Sequence, residues 1–383
     1  LSLDYDPTID LEDPLTKRAV FYGMGSDGTV GANKNTIKIL GSDADTYAQG
    51  YFVYDSKKSG SRTTSHLRFG PDPIKAPYLV NKAGFIGCHH WSILERIDVL
   101  EFARPAIFSP DGERVDGTTL LLNAPFPADE IWDRLPAPMQ QRIIDLGIDV
   151  YAINANEVAR LAGLGGRTNT VLQTCYFAIS GVLPRDLAID KIKELITKTY
   201  ARKSMEIVRK NHVAVDSAVA QLHKIEVPDH ITSHHGYLAA VPQDAPDFVR
   251  EVTAAMLVDR GDDLPVSKLP VDGSYPSGTT QYEKRTSSDI SAVWDPETCI
   301  QCGNCTMVCP HAVIRLKAYE PKYAAGAPKT FKSVDAKGKE LAGLKATLQV
   351  APEDCTGCGA CVNICPVKDK ADESRKAINL EPQ

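Results

Sequence analysis

The chain has 383 residues, of which 43% are hydrophobic, so it can bury a sizeable core and is long enough for two or three domains. Its net charge of −6 argues against nucleic acid as a main partner, because phosphate backbones attract basic surfaces. Neither an apolar run as long as a membrane span nor the apolar core of a signal peptide is present. We therefore expect a cytoplasmic protein without membrane contacts. Because the sequence opens on Leu1 rather than Met, we also expect further sequence upstream.

Residues 18–225 alternate β-rich runs with helical patterns, which is typical of a parallel sheet with crossover helices. After an arm at 1–17, RAVFY predicts a strand that leads into a glycine-rich loop and a helix ending at Gly41. The next strand is TYAQGYFVYD. Further strand candidates are PYLVN, RPAIF, TTLLLNAP and IDVYAIN, and the helix candidates are NEVARLAGL, TNTVLQTCYFAISGVL and the run from LAIDKIKELI to VAQLHKI. The pattern predicts a Rossmann-like α/β domain.

The glycine-rich loop at 23–28 (GMGSDG) fits G-x-G-x-x-G between a strand and a helix. There, backbone amides and a helix N-terminus can hold a phosphate, although a tight strand-to-helix packing turn gives the same pattern. Lys57 and Lys58 follow Asp55 near the end of the next strand. They suit an additional phosphate monoester, as in NADP or coenzyme A. The turn at 165–169 (GGRTN) is a candidate for the other side of this site.

Several polar residues of this region also have simpler interpretations. Four basic residues fit exposed surface charges equally well: Lys57, Lys58, Arg62 and Arg68. Three histidines are expected to be structural rather than catalytic: His66, His89 and His90. Cys88 and Cys175 stand alone in apolar stretches, which predicts small buried hydrophobic residues.

From about residue 226 the chain becomes rich in Pro, Gly and Asp, which predicts a small connecting domain at 226–285 rather than a core. Eight of the ten cysteines then fall into CIQCGNCTMVCP, from Cys299, and CTGCGACVNICP, from Cys355. Both runs match C-x2-C-x2-C-x3-C-P, the spacing of bacterial ferredoxins with two [4Fe–4S] clusters. Structural zinc would instead use separate C-x2-C pairs without the further cysteines.

The spacing also predicts which thiols share a cluster. Three thiolates on a tight loop can bind three irons of one cubane, and the fourth cysteine, turned away on a short helix, reaches the other cluster. One cluster is thus assigned to Cys299, Cys302, Cys305 and Cys365, and the other to Cys355, Cys358, Cys361 and Cys309. Three glycines are expected to leave room for the cluster and to point amides inward: Gly303, Gly357 and Gly359. Residues 316–348 hold seven lysines against three acids, which suits either an acidic electron acceptor or a solvated insertion.

Five strings, in the order of the family and over essentially the whole chain, resemble the pyruvate:ferredoxin (flavodoxin) oxidoreductase, or pyruvate synthase, family. They are GMGSDGTVGANKNTIKILG, SGSRTTSHLRFG, NHVAVDSAVAQLHKIEVP, SYPSGTTQYEKR and the double cysteine run. The resemblance is to the central portion of the family's long polypeptide. It implies a γ-type α/β domain at 18–225, a connecting domain at 226–285 ending in Glu283-Lys284-Arg285, and a bacterial-type two-[4Fe–4S] ferredoxin-like α+β domain at 286–383.

The resemblance further implies oxidation of pyruvate with coenzyme A to acetyl-CoA and CO2, with single electrons passing to ferredoxin or flavodoxin. It places coenzyme A at seven residues: Ser26, Asp27, Gly28, Thr29, Lys57, Lys58 and Asn169. Thiamine diphosphate, magnesium and a third [4Fe–4S] cluster are expected elsewhere in a homodimeric enzyme, because residues 261–263 (GDD) lack the continuation of a thiamine motif. The alternatives are a portion of a pyruvate:NADP oxidoreductase and a non-catalytic electron-carrier subunit of another 2-oxoacid oxidoreductase.

Overall fold

The computed structural model describes residues 6, 9–25, 27–41, 46–55, 61–284, 288 and 290–382. The chain divides into two compact units. The first comprises Leu1–Pro242 with Arg250–Val271, and the second comprises Gln243–Val249 with Asp272–Gln383. Residues 226–285, predicted to be a connecting domain, are thus shared between the two units. No described helix is both long enough and apolar enough to cross a membrane.

A mixed sheet of seven strands forms the centre of the first unit. The strands of this unit are β1 (Lys17–Met24), β2 (Tyr47–Tyr54), β3 (Arg62–Gly70), β4 (Phe85–Cys88), β5 (Ile107–Phe108), β6 (Arg114–Asp116), β7 (Thr119–Asn123), β8 (Asp149–Ile153) and β9 (His223–Ile225). The sheet order is β2-β3-β1-β4-β7-β8-β9, and β5 pairs with β6 separately. β1, β4, β7 and β8 are parallel neighbours, whereas β3 runs antiparallel to β1 and β2, and β9 antiparallel to β8.

Helices cover both faces of this sheet. They are α1 (Thr29–Gly41), α2 (Trp91–Leu94), α3 (Ile131–Arg134), α4 (Ala137–Leu146), α5 (Ala155–Leu161), α6 (Asn169–Ile179), α7 (Arg185–Tyr200), α8 (Met205–Ala220) and α9 (Ala254–Leu257), the last following a π-helical turn (Val249–Thr253). Because successive strand residues point to opposite faces of the sheet, its side chains contribute to two hydrophobic cores, one on each face. Phe21 and Leu121 pack with α1 and α5–α8, whereas Val20 and Leu120 pack with α2–α4.

The predicted α/β fold is confirmed, as is the strand–loop–helix at its start. The parallel order, however, does not extend to the second predicted strand, because β2 turns back through β3 as an antiparallel hairpin at the sheet edge. The prediction of a strand at PYLVN was wrong, and RPAIF contributes only the two residues of β5. The fully buried β4 was not predicted. Cys88 and Cys175 are buried, as predicted.

The expectation of an exposed Arg68 was also wrong. Its side chain is 1% exposed and pairs with Glu12, whose side chain is 4% exposed, at 2.6 Å. The guanidinium donates further to Gln49 Oε1 at 2.9 Å and lies 5.2 Å from the centre of the Tyr78 ring. The described part of the N-terminal arm is therefore fixed to the sheet by a buried charge pair. Arg62 is engaged too, by an ion pair with Asp259.

The second unit contains two small antiparallel sheets and two short helices. Its elements are β10 (Ile290–Trp294), α10 (Asn304–Val308), β11 (Ile314–Tyr319), β12 (Val334–Asp335), β13 (Lys345–Val350), α11 (Ala360–Ile364) and β14 (Ile378–Pro382). β10 pairs with β14, and the second sheet has the order β11-β13-β12. The lysine-rich segment between the cysteine runs thus contributes a folded hairpin sheet. Buried Trp294, Leu348 and Ile378 form the core together with Cys355 and Cys361.

Candidate functional site

The first cysteine run follows β10 and leads into α10. Gly303, with φ of 76°, precedes the helix in the left-handed conformation that favours glycine. Cys299, Cys302 and Cys305 line a small, partly open cavity. The fourth thiol on this cavity belongs to Cys365, at the end of α11 in the other run.

The second run repeats this arrangement. Gly359, with φ of 75°, precedes α11, and Cys355, Cys358 and Cys361 line a second small, partly open cavity. Cys309, at the end of α10, supplies the fourth thiol. The structure therefore brings the eight thiols together as two groups of four, each with three thiols from one run and one from the other.

The two cysteine loops differ at several equivalent positions, and one of these lies two residues after the first cysteine, where the backbone is left-handed in both. Gly357 and Gln301 both have a left-handed backbone, with φ of 63° and 62°. A Cβ on Gly357 would lie 2.4 Å from Ser288 Oγ, so this glycine permits the close contact between the loop and Ser288. Gln301 instead extends its amide away, donating to the Asp335 carbonyl at 2.8 Å and accepting from the Lys337 amide at 2.9 Å.

Several features of the first cavity suit a sulfur-rich, negatively charged group. The Trp294 side chain lines this cavity and is buried, and its Nε1–H finds no acceptor among the described residues. The backbone amide of Gln301 donates to Cys299 Sγ at 3.3 Å. N–H···S bonds of this kind tune the reduction potential of iron–sulfur clusters. Burial and the neighbouring thiols Cys299 and Cys302 raise the pKa of Cys305 to about 11, so this thiol stays protonated until a metal displaces the proton.

The glycine-rich loop is closed by its own aspartate. Asp27 accepts the Met24 amide at 2.7 Å, the Thr29 amide at 2.7 Å and the Thr29 hydroxyl at 2.9 Å. A Cβ on Gly23 would lie 2.4 Å from Thr29 Oγ1, so this glycine permits the close packing of the loop. Two amides that a phosphate would need are thus already bonded to a carboxylate. This geometry matches the alternative of a strand-to-helix packing turn at these positions.

The outer side of the same loop remains suited to an anion. A Cβ on Gly28 would lie 3.0 Å from the Asn169 Cβ, so the N-termini of α1 and α6 meet at this point. Both helix ends carry partial positive charge. The register Tyr54↔Thr63 and Thr63↔Gly23 shows that the C-terminal end of β2 lies at the same end of the sheet as the C-terminal end of β1. Three of the predicted contacts lie outside the described residues: Ser26, Lys57 and Lys58.

The buried side chain of His89 contacts the glycine-rich loop. Because the Thr29 hydroxyl donates to Asp27, it accepts a hydrogen bond from His89 Nδ1, at 2.9 Å. Burial lowers the pKa of His89 to about 4, so its imidazole is neutral at physiological pH. Burial likewise lowers the pKa of His66 to about 4. Both histidines pack inside the sheet domain.

The profile of the pyruvate ferredoxin/flavodoxin oxidoreductase family matches residues 18–221, which is more than half of the chain. The chain belongs to this family. A domain of unknown function, EKR, matches residues 236–287, and a 4Fe–4S dicluster domain matches residues 298–368. The iron–sulfur domain predicted from the cysteine spacing is thereby confirmed.

Curated relatives carry the family's name. One from Synechocystis sp. is 55% identical over 100% of this chain and 31% of its own length, and one from Nostoc sp. is 51% identical over 100% of this chain and 32% of its own. The second relative is named pyruvate-flavodoxin oxidoreductase, and the first carries the same name as a provisional one. A pyruvate oxidoreductase subunit from Thermotoga maritima is 16% identical, with a TM-score of 0.41 over 55% of this chain and 99% of that one. The chain spans about a third of the length of these curated relatives.

Proposed function

We propose that this chain is the central portion of an enzyme that oxidises pyruvate with coenzyme A to acetyl-CoA, CO2 and a proton. The two electrons released would pass singly through the chain to ferredoxin or flavodoxin. The grouping of eight thiols around two cavities, four to each, is the observation that supports this role most directly. The thiamine-dependent step belongs to other parts of the enzyme, which are this chain's partners in the proposal.

Each four-thiol group suits one [4Fe–4S] cluster, which accepts and releases a single electron. The proposed ligands of the first cluster are Cys299, Cys302, Cys305 and Cys365. Those of the second are Cys355, Cys358, Cys361 and Cys309. Because a metal ligand must be a thiolate, the protein supplies four negative charges to each group and its surrounding amides and side chains then set the potential.

Anaerobic reconstitution of the chain tests the cluster assignment. We expect about eight irons per chain and an electron paramagnetic resonance signal after reduction with dithionite. Cys309→Ser should alter the signal of the cluster held mainly by the second run, and Cys365→Ser that of the first. About four irons, bound zinc, or damage confined to each variant's own run would contradict the proposal.

Coenzyme A binding is the second part of the proposal. Asp27 and Thr29 shape the loop, Gly28 and Asn169 bring two helix N-termini together, and the anionic groups of the coenzyme suit that positive end. Ser26 belongs to the same loop sequence, and Lys57 and Lys58 would hold a phosphate monoester.

Calorimetric titration with coenzyme A tests this part separately. Lys57→Ala and Lys58→Ala should each weaken binding by roughly ten-fold, since a phosphate loses a charge-assisted bond. Lys38→Ala, in the last turn of α1, is the matched control and should leave binding unchanged. An absence of binding would favour an electron-carrier subunit, the alternative that agrees with the self-closed loop at Asp27.

A further inference from the structure

The two cluster cavities repeat each other in their thiols but differ in the charges fixed around them. Lys332 and Lys337, from the segment between the two cysteine runs, donate to carbonyls of residues that line the first cavity. Lys332 Nζ bonds the Trp294 carbonyl at 2.7 Å, and Lys337 Nζ bonds the Cys299 carbonyl at 2.7 Å. Within the described part of the chain, the lysines nearest the second cavity donate to residues beside its lining and not to the lining itself. Lys376 Nζ bonds the Val362 and Asn363 carbonyls at 2.8 and 3.2 Å, and Lys284 pairs with Asp354.

Neutral donors occur near both cavities. The backbone amide of Gln301 donates to Cys299 Sγ at the first cavity, and the backbone of Val362 bonds the Cys361 thiol at the second. Trp294, which lines the first cavity, is buried, and its indole N–H has no acceptor among the described residues. The second cavity follows an acidic residue, Asp354, immediately before Cys355, and the ion pair with Lys284 only balances this charge. Two of the three thiols from the second run, Cys355 and Cys361, are also buried.

Reduction adds one negative charge to a cluster. Fixed cations, N–H···S bonds and contact with water all stabilise the reduced form and raise the potential. Resting on the cluster ligation proposed above, we propose that the cluster of Cys299, Cys302, Cys305 and Cys365 has the higher reduction potential of the two, set by Lys332, Lys337 and the Trp294 indole. An electron shared between the clusters therefore resides mainly on the first, which makes it the donor to the external acceptor.

The test is a redox titration of the reconstituted, full 383-residue chain, followed by electron paramagnetic resonance at one fixed pH. Lys337→Gln should lower one of two midpoints, so that at its wild-type midpoint roughly a quarter of that cluster, instead of half, is reduced. Trp294→Phe should shift the same midpoint in the same direction. Cys302→Ser, which alters one cluster's signal, identifies that midpoint as the first cluster's.

Two control variants separate charge from structural support. Lys337→Arg keeps the charge and should restore the wild-type midpoint, and Lys339→Gln removes an exposed lysine of the same segment and should leave both midpoints unchanged. In 1 M salt the effect of Lys337→Gln should shrink while that of Trp294→Phe persists, because salt screens charges but not buried hydrogen bonds.

Five outcomes would overturn the inference, and iron content distinguishes its failure from that of the proposed function. With about eight irons bound, a first-cluster midpoint below that of the second cluster would reject the assigned order of potentials. An unchanged midpoint, equal shifts in Lys337→Gln and Lys339→Gln, or a shift confined to the second cluster would each reject its assigned cause. An iron content other than about eight in the wild-type chain would reject the cluster assignment itself, and the inference with it.

Discussion

The buried pair between Arg68 and Glu12 makes a strong prediction about stability. Glu12→Gln removes the carboxylate but keeps its size, which leaves a guanidinium that is 1% exposed without its counter-charge. Removing one partner of a buried ion pair costs about 3–5 kcal/mol. We expect the lower end, about 3 kcal/mol, because Gln49 and Tyr78 still contact the guanidinium. With a urea dependence near 3 kcal/mol per molar, the unfolding midpoint should fall by about 1 M.

Urea unfolding followed by tryptophan fluorescence measures this change, since two of the three tryptophans, Trp91 and Trp132, are buried in the first unit. Asp216→Asn is the matched control. This substitution breaks the ion pair between Asp216 and Lys193. Because the Asp216 side chain is 64% exposed, the loss should cost less than about 1 kcal/mol.

A double variant tests the physical cause. Glu12→Gln combined with Arg68→Met removes the buried charge along with its partner, so it should recover much of the stability lost in the single variant. A single variant no less stable than the Asp216→Asn control, or a double variant less stable than the single one by a further 3 kcal/mol or so, would refute the reasoning.

Three more predictions concern the loops. Between pH 7 and 5 the unfolding free energy should fall by about 2 kcal/mol more in the wild type than in His89→Gln. The imidazole binds a proton in the unfolded chain over this range, but in the folded protein it stays neutral because burial lowers its pKa to about 4. Equal pH dependences of the two unfolding free energies would contradict this. Gly357→Ala should lose iron on reconstitution, unlike Gly343→Ala, which has the same backbone strain but no neighbour within 4 Å. Asp27→Ala should lower the urea midpoint by an amount equivalent to about 1–2 kcal/mol, since three hydrogen bonds are lost, whereas an unchanged midpoint would show that the loop does not need this cap.

The first strand and helix were readable from the sequence because an apolar run, a glycine loop and a helical period follow one another in a local pattern. β4 was missed because four residues buried on both faces show no alternation, and PYLVN, with exposed Tyr78 and Leu79, imitates a strand. The position of the β2–β3 hairpin at the edge of the sheet depends on the pairing of β3 with β1, which is distant in sequence. Propensity alone does not determine this pairing.

Cysteine spacing predicted the grouping of the thiols, since covalent geometry allows a short loop few arrangements. The neighbours of those thiols were not predictable. Lys337 is 38 residues from Cys299 in sequence, and Gln301 occupies a position where the second run has glycine. A closer comparison of the two runs would have singled out Gln301. The self-capping by Asp27 was hidden for a different reason, because a G-x-G-x-x-G pattern does not record where the side chains between its glycines point.

The hairpin sheet between the two runs enters and leaves at one place, because Tyr319 of β11 faces Lys345 of β13. Residues 320–344 could therefore be replaced by a tight turn between β11 and β13, with all eight cysteines of the two runs kept in the chain. The shortened protein would lose the two lysines that donate beside the first cavity and the contacts of Gln301 with Asp335 and Lys337. The cysteines proposed to bind iron and the lysines proposed to set the reduction potential thus lie in different segments of the chain. One segment can therefore be redesigned while the other is kept.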